Sequence, residues 1–160
     1  MRALVAQATP AWKDPRFSWT LEAWLPLFSE PPRVIVCLRS PDEVVASTLR
    51  YYGAAGDEPR RAVRHVWCAQ YERVLDVIED HRLDATCVEY AALHGPAGDD
   101  EVRRLAAFVG RDLDASGVRR ELRHHRAPVD ADLAALYERV RALAALVPAP
   151  EPPAGAAPGA

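Results

Sequence analysis

A chain of 160 residues that is 49% hydrophobic and 27% charged is long and apolar enough for one domain with a buried core, with little room for a second. Its formal net charge of -3 argues against a general nucleic-acid or membrane-surface binder. No apolar run approaches the roughly 20 residues of a membrane span, and the opening MRALVAQATPAW carries no signal-peptide pattern, so a cytoplasmic location is expected.

Residues 1–9 allow either a helix end or a strand through ALVA, followed by a turn at ATP. Pro15 blocks sheet pairing and keeps Asp14 extended, which puts Lys13 at or near a strand end. Lys13 is also the only lysine in a chain that otherwise uses arginine for positive charge. Either a compact ammonium is needed where a guanidinium fork does not fit, or one lysine has survived an arginine-rich composition. Leu21, Trp24, Leu25 and Phe28 recur at helical spacing after Ser18, an N-cap candidate, and Pro26 should bend or shorten that helix.

Val34 to Leu38 is nearly all apolar and rich in β-branched residues, the pattern of a strand buried on both faces of a parallel sheet. Arg39 ends it. Ser40, Pro41, Asp42 and Glu43 then supply an N-cap, a first-position proline, first-turn acids and an S-x-x-E capping box, so a helix starts at once. Ligands of open α/β sheets bind at the carboxyl ends of strands, beside helix N-termini, and Arg39 sits there. Ser47 follows one helical turn after Glu43 on the same face. A guanidinium fork and a hydroxyl suit a phosphomonoester. The competing reading has Arg39 in a salt bridge to Glu43 and Ser47 bonded to a helix carbonyl.

The loop GAAGDEP leads into a crossover helix from about Pro59 to Arg82, with Val63, Val66, Trp67, Val74 and Ile78 on its apolar stripe. Ala85 to Tyr90 reads as the next strand, and strand, helix, strand in that order implies a right-handed parallel βαβ unit. After the loop HGPAGDD, Asp99 or Asp100 caps a helix that ends at Gly110. The basic segment VRRELRHHR either lines an anionic ligand or forms a solvated face. Its adjacent His124 and His125 do not share a helix face, which argues against a metal there. Asp130 caps a last amphipathic helix reaching Val147, Pro148 stops it, and the Pro/Ala/Gly-rich residues 148–160 are expected to be a disordered tail. Cys37, Cys68 and Cys87 lie far apart in apolar patterns and suit reduced core thiols; no close Cys/His spacing offers a metal site.

Several of these segments, taken in order, resemble the 3′-phosphoadenosine 5′-phosphosulfate-dependent sulfotransferases, in particular the bacterial sulfotransferase-like proteins. The resemblance spans nearly the whole chain before the tail. It is carried by KDPR, VIVCLRSPDEVVAS, the Trp67 to Tyr71 segment, TCVEYAAL and RLAAFVGRDL, of which the arginine-to-serine block is the specific one. It implies that Arg39 and Ser47 bind the cofactor's 3′-phosphate, that Tyr90 packs by the adenine, and that Lys13 lies near the transferring sulfonate. Here Tyr-Ala stands where the family often has Tyr-Glu. The implied activity is sulfonate transfer from that cosubstrate to a hydroxyl or amine of a small-molecule or glycan acceptor, without a metal. The general base is unassigned, with Asp14 nearby.

The family opens with a strand and a phosphate loop, G-x-x-x-[ST]-G-[ST]-[ST], that has no counterpart here. The expected fold is therefore α/β, a parallel sheet with flanking helices, P-loop-NTPase-like but lacking the first strand and phosphate loop, with residues 1–147 an N-terminally truncated domain. Losing a central strand exposes sheet edges, so poor solubility or a molten state is expected unless the remaining strands are closed off. The alternative is a non-catalytic remnant, a nucleotide-binding or interaction module.

Overall fold

A computed structural model describes residues 11–118 and 129–146. Val147, Pro148, the tail and nearly all of the basic segment lie outside the described residues. The architecture is α/β and mostly helical, with a two-stranded parallel sheet. In order the elements are α1 (Phe17–Trp24), β1 (Val34–Leu38), α2 (Pro41–Tyr52), α3 (Asp57–His81), β2 (Ala85–Glu89), α4 (Tyr90–Leu93), α5 (Gly98–Val109) and α6 (Ala131–Ala142). Short 3₁₀ turns stand at Leu25–Leu27, Ala115–Gly117 and Leu143–Leu146.

The entry to α1 departs from the sequence reading. Residues 11–14 form no strand, so Lys13 is not itself at a strand end, while any strand before residue 11 lies outside the described residues. Instead the Asp14 carboxylate accepts from the backbone N–H of Arg16 at 2.8 Å and from its guanidinium at 2.6 Å, folding the chain tightly around Pro15. That turn starts α1 at Phe17, and the Ser18 hydroxyl donates back to the Pro15 carbonyl at 3.0 Å rather than capping the helix from outside. Pro26 acts as expected: α1 stops at Trp24 and passes into the 3₁₀ turn.

The two strands pair in parallel from Val34 opposite Ala85 to Leu38 opposite Glu89, with α2 and α3 as the crossover. In β2, Ala85 to Val88 are all buried, as a strand covered on both faces requires. β1 is different. Val36 and Leu38 join Trp67, Leu75, Ile78, Tyr137 and Val140 in the core, whereas Ile35 is 40% exposed and Cys37 is exposed as well. The expectation of two buried faces, and of Cys37 as a core thiol, is thus overturned: helices α3 and α6 pack on only one side of this strand. Cys68 is half-buried, Cys87 buried, and all three thiols are free.

The N–H of Val34 donates to the Asp84 carbonyl at 2.8 Å. Alternation along a strand then turns the backbone groups of Val34, Val36 and Leu38 toward β2, and those of Ile35 and Cys37 toward the outer edge. At that edge the Tyr71 hydroxyl of α3 donates to the Cys37 carbonyl at 2.7 Å. Across the sheet, Arg104 of α5 donates to the outer carbonyl of Cys87 and, at 2.6 Å, to the Thr86 hydroxyl. Both outer edges therefore carry a side-chain donor on a backbone acceptor that a further strand would otherwise take.

The helix ends follow local chemistry. Gly110 closes α5 in the left-handed conformation at φ 72°, as its sequence position requires. Asp130 caps α6 through the N–H of Asp132 and also receives Arg64 of α3 at 2.9 Å, which joins the last helix to the crossover. Among the described residues no helix is long and apolar enough to cross a membrane.

Burial of three acidic protons makes alkaline stability a test of this packing. Desolvation raises the phenols of Tyr71 and Tyr137 above their ordinary value of 10.0, with the Glu89 carboxylate adding to the effect at Tyr137. It pushes the Cys87 thiol from 9.0 up to about 12. Above about pH 9 the unfolded chain gives up these protons while the folded chain keeps them, so stability falls as pH rises, by at most about 1.4 kcal/mol per pH unit for each group. Thermal midpoints should drop steadily above about pH 9, more shallowly in Tyr71→Phe. A flat profile in that range would contradict the burial described here.

Candidate functional site

The carboxyl ends of β1 and β2 lie side by side, so the residues that follow them, Arg39 and Tyr90, meet although they are far apart in sequence. The guanidinium carbon of Arg39 lies 4.6 Å from the centroid of the Tyr90 ring, within cation–π range. The Tyr90 ring also lies 4.1 Å from the His94 imidazole, whose Nδ1 is 3.0 Å from the Tyr90 carbonyl.

Arg39 is fixed from two directions. Its Nε donates to Glu43 Oε2 at 3.2 Å, one turn into α2, and Glu43 is only 1% exposed. Its carbonyl accepts from Trp67 Nε1 of α3 at 3.1 Å. The Arg39–Glu43 pair is the salt bridge that the sequence left open as a competing reading. It does not use up the guanidinium, since among the described residues the two Nη nitrogens make no hydrogen bond. The Nε and the carbonyl of Arg39 are thus tied to α2 and α3 respectively.

Other expected members are placed less closely. Ser47 is half-buried in α2, one turn beyond Glu43. Ser40 precedes α2 as expected but its side chain makes no cap hydrogen bond; its hydroxyl is buried without a partner among the described residues, so the capping-box reading fails on the serine side. Lys13 lines a cavity with Trp12, Phe17 and Trp24, of which Arg39 is not a lining residue, and its charge acts on the Cys37 thiol of β1.

Sequence reasoning took Trp67 as part of an apolar stripe and Tyr71 only as the end of a segment that carries the family resemblance, with no contact assigned to either. Their rings pack 4.6 Å apart, and each uses its polar atom on the backbone of the Cys37–Arg39 segment. The available signal was their four-residue spacing, which puts two aromatic groups with hydrogen-bond donors on one helix face.

A cavity of about 350 Å³ below the end of β2 is lined by Glu89, Glu101 and Glu138 with Arg141, which disfavours an anion there. Among the described residues no group of three or more His, Cys, Asp or Glu side chains is placed to hold a metal. Arg39 with Tyr90 is an arrangement suited to a planar, anionic ligand. Comparison with protein-family models, with curated proteins and with solved structures returned no match.

Proposed function

We propose that this chain is a sulfotransferase-family protein that binds the 3′-phosphate and adenine end of 3′-phosphoadenosine 5′-phosphosulfate. The observation that supports it is the Arg39–Tyr90 stack at the carboxyl ends of two adjacent parallel strands. In this reading the Nη fork of Arg39 takes the phosphate bidentately, Ser47 adds a neutral donor, and Tyr90 packs against the base. The small sheet with its helices would be part of a P-loop-NTPase-like sulfotransferase fold lacking the first strand and phosphate loop.

In the complete reaction the acceptor oxygen or nitrogen attacks sulfur in line, the bond from sulfur to the phosphate oxygen breaks, and the acceptor's proton passes to a base. Lys13 is the cation proposed to steady the charge growing on the bridging oxygen. The sequence contains no glycine-rich phosphate loop to wrap the 5′-phosphosulfate. A second reading is a nucleotide-binding module without transfer, in which the Arg39 site is the same and Lys13 has no catalytic task.

Calorimetric titration with adenosine 3′,5′-bisphosphate tests what both readings share. Arg39→Lys keeps a cation beside Glu43 but loses the fork, and should weaken binding by roughly 10- to 100-fold, as loss of a charge-assisted phosphate contact implies. Equal affinity in the wild type and in a folded Arg39→Lys variant would reject the site. Transfer of sulfonate to any acceptor, abolished by Lys13→Arg without loss of nucleotide affinity, would decide for the enzyme over the module.

A further inference from the structure

Lys13 stands at a cavity of about 360 Å³, the size range of small-molecule sites, whose wall is aromatic. The rings of Trp12 and Trp24 lie 5.9 Å apart at 55°, and Phe17 meets Trp24 edge-on at 5.7 Å. The three form one continuous apolar surface that flat rings cover better than puckered ones, through offset and edge contacts. The charges around it do not balance. Asp14 and Arg16, which also line the cavity, are closed on each other through hydrogen bonds of 2.6 and 2.9 Å, whereas Lys13 has no ion-pair partner among the described residues.

From this juxtaposition we infer that the cavity binds a flat aromatic carboxylate, its ring on the Trp12–Phe17–Trp24 wall and its carboxylate on the Lys13 ammonium. A single compact ammonium suits a monoanion; a phosphate dianion would be better served by a guanidinium fork. The same argument accounts for the one lysine in an arginine-rich chain. A guanidinium at position 13 would itself stack on the tryptophan faces and occupy the space that the ligand needs, while an ammonium remains a point charge at the rim. Arg39 does not line this cavity, and the site goes with the reading in which Lys13 has no catalytic task, whether or not a nucleotide binds at Arg39.

The probe is 2-naphthoate, followed by NMR through the indole N–H resonances of the tryptophans. Saturable shifts should appear at Trp12 and Trp24 and not at Trp67, which is buried in the core around α3. Cyclohexanecarboxylate keeps the charge without the flat ring, and 2-naphthalenemethanol keeps the ring without the charge; both should bind more weakly than the probe. Lys13→Gln, at an exposed position outside the core, should weaken naphthoate about fivefold, the upper range for an exposed ion pair, and leave 2-naphthalenemethanol unchanged. Naphthoate affinity unaffected by Lys13→Gln, or matched in the wild type by cyclohexanecarboxylate, or no saturable shift at Trp12 and Trp24, would each overturn the assignment.

Discussion

Arg39→Ala should destabilise the chain by about 3 kcal/mol, the lower end of the range for breaking a buried ion pair because Arg39 is itself partly exposed. Glu43 keeps further contacts but loses the Arg39 cation from a carboxylate that is almost wholly out of water. Tyr90 loses its cation–π partner at the same time. The cost should come mainly from the weakened pairing of that buried carboxylate, so the double variant Arg39→Ala/Glu43→Leu should regain part of it. Denaturant unfolding of the two variants measures this directly. A single variant within about 0.5 kcal/mol of the wild type, the spread of ordinary surface substitutions, would mean that Glu43 is solvated and that Arg39 is not held as described.

Trp67→Ala should cost about 3 to 5 kcal/mol, the usual range for deleting a large core aromatic. The indole is 3% exposed, packs on Tyr71 and touches the core between β1 and α6. It also anchors the Arg39 carbonyl, so the variant loosens the segment that aims the guanidinium, and nucleotide affinity should fall with stability. Trp67→Phe fills most of the volume without the N–H donor and should cost less, about 1 to 2 kcal/mol. Unfolding curves in which the alanine variant is no worse than the phenylalanine one would remove Trp67 from the core.

What could be read from the sequence was mostly what neighbouring residues decide. The parallel pairing of Val34–Leu38 with Ala85–Glu89, the proline-led start of α2, the Asp130 cap and the Gly110 terminus all rest on patterns within a few residues. The outward side of β1 was not legible, because the apolar Ile35 and Cys37 look the same in sequence whether or not another element lies over them. The strand end expected at Lys13 failed for a similar reason: proline and aspartate favour an extended chain and a turn alike, and the Asp14–Arg16 contacts chose the turn. At the site, Arg39 and Ser47 were legible as a spacing. Their setting was not, since the approach of Tyr90 and the support from Trp67 depend on which strands and helices become neighbours.

The side chains that close the outer edges of the sheet bear on how copies of this chain behave toward one another. A strand arriving from another molecule needs a template of free backbone donors and acceptors in regular alternation. Here it meets a broken ladder on either side, interrupted by the Tyr71 hydroxyl at Cys37 and by the Arg104 guanidinium at Cys87. Growth of a cross-β assembly must begin by withdrawing one of those groups, which means moving α3 or α5 away from the sheet. Resistance to fibril formation is thus a property of two helices, set by how tightly they pack, and only secondarily of the strands they guard.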